Sequence, residues 1–458
     1  MRIEILDTTL RDGNKLPFAV LSPIDRLILA RSLEEMGVDI IECGFPVSST
    51  EEADLVRRIA GELSRARVSA LARALPQDVD IALSALSASR KPHLHVIMPS
   101  SPQSLENVVR MTEAEAVKAV HASVVRGKKA GARVQFSMGE APQARPELRA
   151  EMCRAAVEAG ADVINLADTG GILSPEDAAS LIKEVLALLP PRGAPLVGIH
   201  CHNDLGLASA NTLAAIRAGA SHVEVTLGGF GERAGNAALE EVAFQIRAFG
   251  GKIGAECGID LSRIGPVSAL FDGMTGVHTH PNKPVTGRSA LPDPRARKPL
   301  PDPFSRLLQA STIGPLASPP EPAQPREGLY VLESFSVVSG SHSPPVGVVV
   351  IDKQGTRVTR SSHGTGPIDA LFKAVDRALG FSPRLSYYSL YTMATGPDAT
   401  AEVTVTTELS GRRFHGRHAS ADVIEASLRA YMKACNSIGE SGIAEGAPDY
   451  VHGEFLWE

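Results

Sequence analysis

Between residue 1 and about residue 245, short apolar runs alternate with amphipathic stretches eight times over. No other feature constrains the fold as strongly. The expected strands are Ile3–Leu6, Ile40–Gly44, Val68–Leu71, His93–Met98, Arg133–Ser137, Val163–Ala167, Leu196–His200 and His222–Thr226. Between them the 3.6-residue period predicts helices, among them Pro23–Met36, Glu51–Ser64, Glu113–Ala130, Ala144–Ala159 and Pro175–Leu188. Gly37, Gly131, Gly160 and Gly219 stand where helices should stop. Eight such units in this length predict a (β/α)8 TIM barrel. A doubly wound open sheet is the competitor, but no glycine-rich phosphate fingerprint follows the first strand.

A barrel carries its chemistry at the carboxyl ends of its strands. Arg11 and Asp12 follow the first strand and Glu42 lies in the second. Arg73 follows the third, His95 sits in the fourth, and Asp168 and Thr169 follow the sixth. His200 and His202 close the seventh, and Glu232, Arg233 and Asn236 follow the eighth. In "VGIHCHNDLG" the two histidines are one residue apart, so on a strand they point the same way while Cys201 faces the other. Two converging imidazoles suit a metal; two surface histidines at a strand end are the competing reading. The recurrence of polar residues at one end of the barrel favours the metal. Asp12, His200, His202 and Asn236 offer two nitrogens and two oxygens, a set for Mg²⁺, Mn²⁺ or Zn²⁺. With no thiolate to close the site, open positions for substrate are expected. Asn236 has an alternative role as a helix cap in "GNAALEEV", and Arg11 as a salt bridge to Glu42.

Composition sets the outer limits. The chain of 458 residues is 43% hydrophobic and 21% charged, with a net charge of −6 and scattered basic residues. That leaves no footprint for nucleic acid or an anionic membrane. Aromatic residues make up only 4%, so the core must be aliphatic. Five widely spaced cysteines predict free thiols, and the absence of a signal peptide or long apolar run predicts a cytoplasmic protein.

Three parts are expected. Residues 1–280 form the catalytic barrel with following helices. Residues 281–327 hold 12 of the 32 prolines and form a linker or wrapped arm. Residues 328–458 form a second unit, in which "GVVVIDKQGTRVTRSSHGTGPIDALFKAV" and "EVTVTTELSGRRFHGRHASADVIEASLRAY" run in parallel at an offset of about 55 residues. His363 matches His418. The parallel predicts a duplicated ββα module for dimerisation or effector binding.

"LDTTLRDG", "IIECGFPVSS", "LAR", "NLADTGG", "GIHCHNDLGLASANTLAAIRAGA" and "GFGERAGNAALEEV" resemble the 2-isopropylmalate synthase family of metal-dependent acyltransferases, within the wider group of Asp-Arg-Glu barrel lyases. "GTGPIDALFKAV" and "ADVIEASLRAY" resemble that family's leucine-sensing dimer domain. The resemblance implies a Claisen condensation. A 2-oxo acid, 3-methyl-2-oxobutanoate first among them, chelates the metal, a base deprotonates acetyl-CoA, the enolate attacks the ketone, and water releases CoA. It implies metal ligation by Asp12, His200, His202 and Asn236. Arg11, Glu42 and Glu140 are the expected catalytic residues, and Arg11, His95, Thr169 and Arg73 the expected substrate contacts. A homodimer with leucine or a related effector at the C-terminal unit follows from the same resemblance.

The chain also departs from that family. Asn14-Lys15 replaces Glu-Gln after "RDG", Gly228 replaces an asparagine, and Glu140 sits one place beyond the family's glutamate after the fifth strand. The proline-rich segment replaces a Gly-Ile-His-Gln-Asp-Gly stretch whose histidine assists catalysis. His278 and His280 are the nearest histidines. These departures keep two alternatives open: a citramalate synthase-like acyltransferase or metal-dependent lyase acting on another 2-oxo acid, and a weakly active or inactive effector-binding paralogue.

Overall fold

The computed structural model describes residues 1–15, 21–275, 277, 279–287, 289–290, 312, 314, 328–340, 343–392 and 401–443. They fall into two compact units, Met1–Ala317 and Ser318–Glu458.

The first unit is a closed barrel of eight parallel strands in sequence order. These are β1 (Glu4–Asp7), β2 (Ile40–Glu42), β3 (Arg67–Arg73), β4 (Pro92–Pro99), β5 (Arg133–Gly139), β6 (Val163–Asp168), β7 (Leu196–Cys201) and β8 (His222–Val225). β8 pairs with β1, Leu6 opposite Glu224, and this seam closes the ring and excludes the open sheet. The outer helices are α1 (Pro23–Met36), α2 (Thr50–Glu62), α3 (Pro76–Ala85), α4 (Glu113–Lys129), α5 (Pro146–Glu158), α6 (Pro175–Leu188), α7 (Ala208–Ala218) and α8 (Leu239–Ile253), followed by α9 (Ile264–Thr275).

Local chemistry sets the helix ends. Ser22 and Asp25 form a reciprocal capping box at the start of α1, and Gly37 ends it in the left-handed conformation at φ 93°. Thr112 with Glu115 and Ser174 with Asp177 start α4 and α6 in the same way. The strands are buried on both faces, and every residue of Val163–Asp168 is buried; several nonetheless alternate, with buried polar pairs His93/His95 in β4, Gln135/Ser137 in β5 and His222/Glu224 in β8. Phe136, Leu29, Leu33 and Met36 are among the largest wholly buried side chains. Among the described residues, no helix is long and apolar enough to cross a membrane.

Most of the proline-rich segment lies outside the described residues. Its first residues are not a free linker. Val285 and Thr286 are buried, and Lys283 Nζ lies 3.2 Å from a Glu240 carboxylate oxygen and 2.8 Å from one of Glu241 on α8.

The second unit holds two three-stranded antiparallel sheets. One is ordered β11-β10-β9, from β9 (Tyr330–Gly340), β10 (Ser343–Lys353) and β11 (Thr356–His363); the other is ordered β12-β13-β14, from β12 (Arg384–Thr392), β13 (Ala401–Leu409) and β14 (Arg412–Ser420). A helix follows each, α10 (Pro367–Leu379) and α11 (Val423–Glu440). Each half is therefore βββα, one strand more than the sequence parallel predicts. The parallel covers the shared hairpin and helix. His363 pairs with Val346, and His418 with Val403. Both hairpins turn through two left-handed residues, Gln354-Gly355 and Ser410-Gly411. Phe372 on α10 stacks on Tyr431 on α11 with ring centroids 4.0 Å apart.

Candidate metal centre

The site begins in the turn after β1. Asp7 is wholly buried and accepts from the Thr9 amide and hydroxyl at 3.0 and 2.9 Å. Burial pushes its carboxyl up to about 7 against those hydrogen bonds. The Thr8 carbonyl accepts from the amides of Arg11, Asp12 and Gly13. This tight turn places Arg11 and Asp12 at the barrel mouth. Arg11 Nε donates to Glu42 Oε2 at 2.7 Å, and Arg11 Nη1 lies 3.1 Å from Asp12 Oδ1. Thr8 Oγ1 donates to the same Glu42 oxygen at 2.7 Å. Burial works against both charges of the Arg11–Glu42 pair. For Arg11, Glu42 and Asp12 more than offset it; for Glu42, Arg11 and His95 hold the carboxyl well below the usual range.

β7 delivers the imidazoles. His200 and His202 are both buried, with ring centroids 4.9 Å apart and planes at 70°. Their Nε2 atoms lie 3.7 and 4.0 Å from Asp12 Oδ2. One ligand atom each from Asp12, His200 and His202 falls within 4.8 Å of the others. Burial and then the His200 ring push His202 down to about 4, leaving it neutral with one nitrogen lone pair to offer. Asp12 is almost wholly buried, but Arg11, His200 and Lys15 hold its carboxyl well below the usual range.

Asn236 arrives by backbone pairing. It forms an isolated bridge with His202, its amide donates to the Gly229 carbonyl at 2.8 Å, and Nδ2 donates to Asp12 Oδ2 at 3.0 Å. The cap alternative is excluded, because α8 starts at Leu239 with Ala238 as its cap residue. Asn236 Oδ1 is buried with no hydrogen-bond partner among the described residues. A Cβ on Gly231 would lie 2.4 Å from Asn236 Nδ2, so the "GFG" turn needs glycine there. Gly228 stands at φ 69°, in the left-handed region that glycine and asparagine favour, so the departure from the family's asparagine preserves the backbone. A convergent carboxylate, two imidazoles and an orphaned amide oxygen fit a divalent cation.

Glu224, which the sequence reading missed, stands opposite His200 in the β7–β8 register. Its Oε2 lies 2.9 Å from His200 Nδ1, while Oε1 accepts from Gln135 Nε2 at 2.5 Å and Asn165 Nδ2 at 2.8 Å. Burial raises this carboxyl, but His95 and His200 pull it down to about 2. Burial lowers the His200 pKa, yet Glu224 and Asp12 leave it raised overall. The signal was there: His222, Glu224 and Thr226 recur at every second position of a barrel strand, which is the spacing of one face.

His95 joins this group through Glu42, while Arg73, Glu140 and Thr169 have other partners. His95 is buried, with Nδ1 2.5 Å from Glu42 Oε1 and Nε2 2.6 Å from Ser137 Oγ. Both ring nitrogens have protein partners, and through Nδ1 the ring holds Glu42. Arg73 pairs with Asp78 at 2.6 Å, its guanidinium over the Phe45 ring. Glu140, left-handed at φ 57°, accepts from the Ser101 and Ser104 hydroxyls at 2.5 and 2.7 Å. Thr169 Oγ1 accepts from the Glu140 amide at 3.0 Å, and its carbonyl accepts from Arg233. His280 Nδ1 accepts from the Asn282 amide, and His278 lies outside the described residues.

Fold and donor set define a TIM barrel with a buried group suited to a divalent metal at its mouth. Residues 2–271 match the HMGL-like family, and residues 320–439 the LeuA allosteric (dimerisation) domain. The 2-isopropylmalate synthase of Pyrococcus furiosus is 34% identical, over 95% of this chain and 99% of that protein. That of Xanthomonas axonopodis pv. citri is 32% identical over 97% of each. A solved HMG-CoA lyase from Bacillus subtilis shares the barrel fold at 18% identity and a TM-score of 0.52, over 60% of this chain and 94% of that one. The chain belongs to the 2-isopropylmalate synthase family and is an acyltransferase of the condensing type.

Proposed function

We propose that this protein condenses acetyl-CoA with 3-methyl-2-oxobutanoate to give 2-isopropylmalate and CoA, in leucine biosynthesis. The observation that carries the reading is the convergence of Asp12, His200 and His202 beside the Arg11–Glu42 pair. Asp12, His200, His202 and Asn236 would hold Mg²⁺, Mn²⁺ or Zn²⁺, whose Lewis acidity polarises a ketone. Arg11 is aimed at the ketone oxygen by Glu42, and donates where negative charge builds in the transition state. His95 acts through Glu42 and keeps that carboxylate turned to Arg11. Thr169 Oγ1 already accepts from the Glu140 amide, so its own proton is available to the substrate carboxylate. Glu140, oriented by Ser101 and Ser104, is the proposed acceptor of the acetyl methyl proton. Arg73, at the end of β3, is the proposed outer contact for the charged substrate. The match to the LeuA domain supports a homodimer whose C-terminal unit binds leucine or a related effector.

Thiol release from acetyl-CoA, scanned with 3-methyl-2-oxobutanoate, pyruvate and 2-oxoglutarate, tests the reading. Turnover with the branched acid supports it. Turnover with pyruvate alone makes the protein citramalate synthase-like. Leucine binding with no turnover on any acid makes it an effector-binding paralogue.

A further inference from the structure

Lys15 is one of the two residues that depart from the family's sequence after "RDG", and it reaches the metal centre. Its Nζ lies 3.0 Å from Asp12 Oδ1 and 2.8 Å from Glu232 Oε1 in the turn after β8. Arg11 Nη1 faces the same Asp12 oxygen at 3.1 Å. The two oxygens of Asp12 are thereby divided. Oδ1 faces two cationic side chains, while Oδ2 faces the imidazole Nε2 atoms and the Asn236 amide. Arg11 is itself bound to Glu42, which offsets its charge locally. Lys15 is shared between Asp12 and Glu232, and its side chain is 41% exposed, so it can be withdrawn or replaced without opening the core.

We propose that the Lys15 ammonium competes with the divalent cation for the charge of Asp12, and that Glu232 sets the strength of that competition. The inference rests on the metal reading of Asp12, His200 and His202. A positive charge held on the far oxygen of a ligating carboxylate repels an incoming dication and drains the carboxylate's charge. Glu232 draws the ammonium toward the β8 turn and so relieves Asp12. Lys15 is thus a tuning residue for the metal, acting through Asp12 and touching no substrate.

The test is Mn²⁺ binding to the full-length protein, read as free Mn²⁺ by electron paramagnetic resonance, with thermal midpoints to verify folding. Lys15→Gln should bind Mn²⁺ more tightly, on the order of tenfold. Lys15→Arg keeps the charge and should stay within about twofold of the parent. Glu232→Gln leaves the ammonium to Asp12 alone and should weaken binding. Because Glu232 acts through Lys15, Lys15→Gln combined with Glu232→Gln should match Lys15→Gln alone. Unchanged or weaker binding in Lys15→Gln, or additive effects in the pair, overturns the proposal while leaving the metal site standing. Failure of every protein, parent included, to bind Mn²⁺ overturns the metal reading and this inference with it.

Discussion

His200 Nδ1 lies 2.9 Å from Glu224 Oε2, and this contact turns the other ring nitrogen of His200 toward Asp12. A carboxylate at this distance favours a proton on Nδ1, which leaves Nε2 as the lone-pair donor. Glu224 is in turn held by Gln135 and Asn165, so three buried strands orient one imidazole.

Glu224→Gln should therefore weaken Mn²⁺ binding about 10- to 100-fold while Asp12, His200, His202 and Asn236 all stay in place. Equilibrium dialysis against Mn²⁺ measures this. An unchanged affinity would show that His200 needs no orienting partner.

His202→Ala removes one of the two imidazoles and should abolish metal binding, with the chain still folded by circular dichroism. Full metal occupancy in that variant would mean the donor set has been misidentified. Chelation of the parent should likewise abolish thiol release, and Mn²⁺ should restore it.

Arg11→Lys retains a charge but loses the planar fork that spans Glu42 and Asp12. Thiol release at saturating substrate should fall by about 10²–10³-fold, in the range for one lost oxyanion donor. Little change in the Mn²⁺ dissociation constant should accompany it.

In the C-terminal unit, Asp376 accepts from the Tyr431 and Ser382 hydroxyls, yet burial pushes its carboxyl up to about 6. A carboxyl whose folded pKa lies above its unfolded value of 3.8 costs stability as pH rises. The cost is absent below about pH 4, builds up to about pH 6, and then stays constant. Asp376→Asn keeps the acceptor for Tyr431 and does not titrate. Its stability relative to the parent should be higher at pH 8 than at pH 5 by about 1–2 kcal/mol. Urea unfolding at the two pH values reads the difference; a pH-independent offset would refute it.

The sequence revealed what periodicity and capping control. Helices α1 and α6 fall on their expected residues because Ser22 and Ser174 mark their starts. Strand β8 was legible, but Glu224 was not assigned a role, because its partnership with His200 depends on the register between two strands. The engagement of His95 depends on Glu42 and Ser137 from two further strands, which no local pattern encodes. Strands β9 and β12 escaped because the parallel between the two halves begins only at their second strand. Lys15 was visible as an unusual residue, but its reach to Asp12 and Glu232 exists only once the barrel has closed.

The proposed metal donors come from the turn after β1, the end of β7 and the turn after β8, either side of the β1–β8 seam. A chain emerging from the ribosome carries Asp12 almost at once, but the two imidazoles that converge on it follow only at residues 200 and 202, and Asn236 later still. Uptake of the proposed cation is then expected late in biogenesis, once the two ends of the sheet have met.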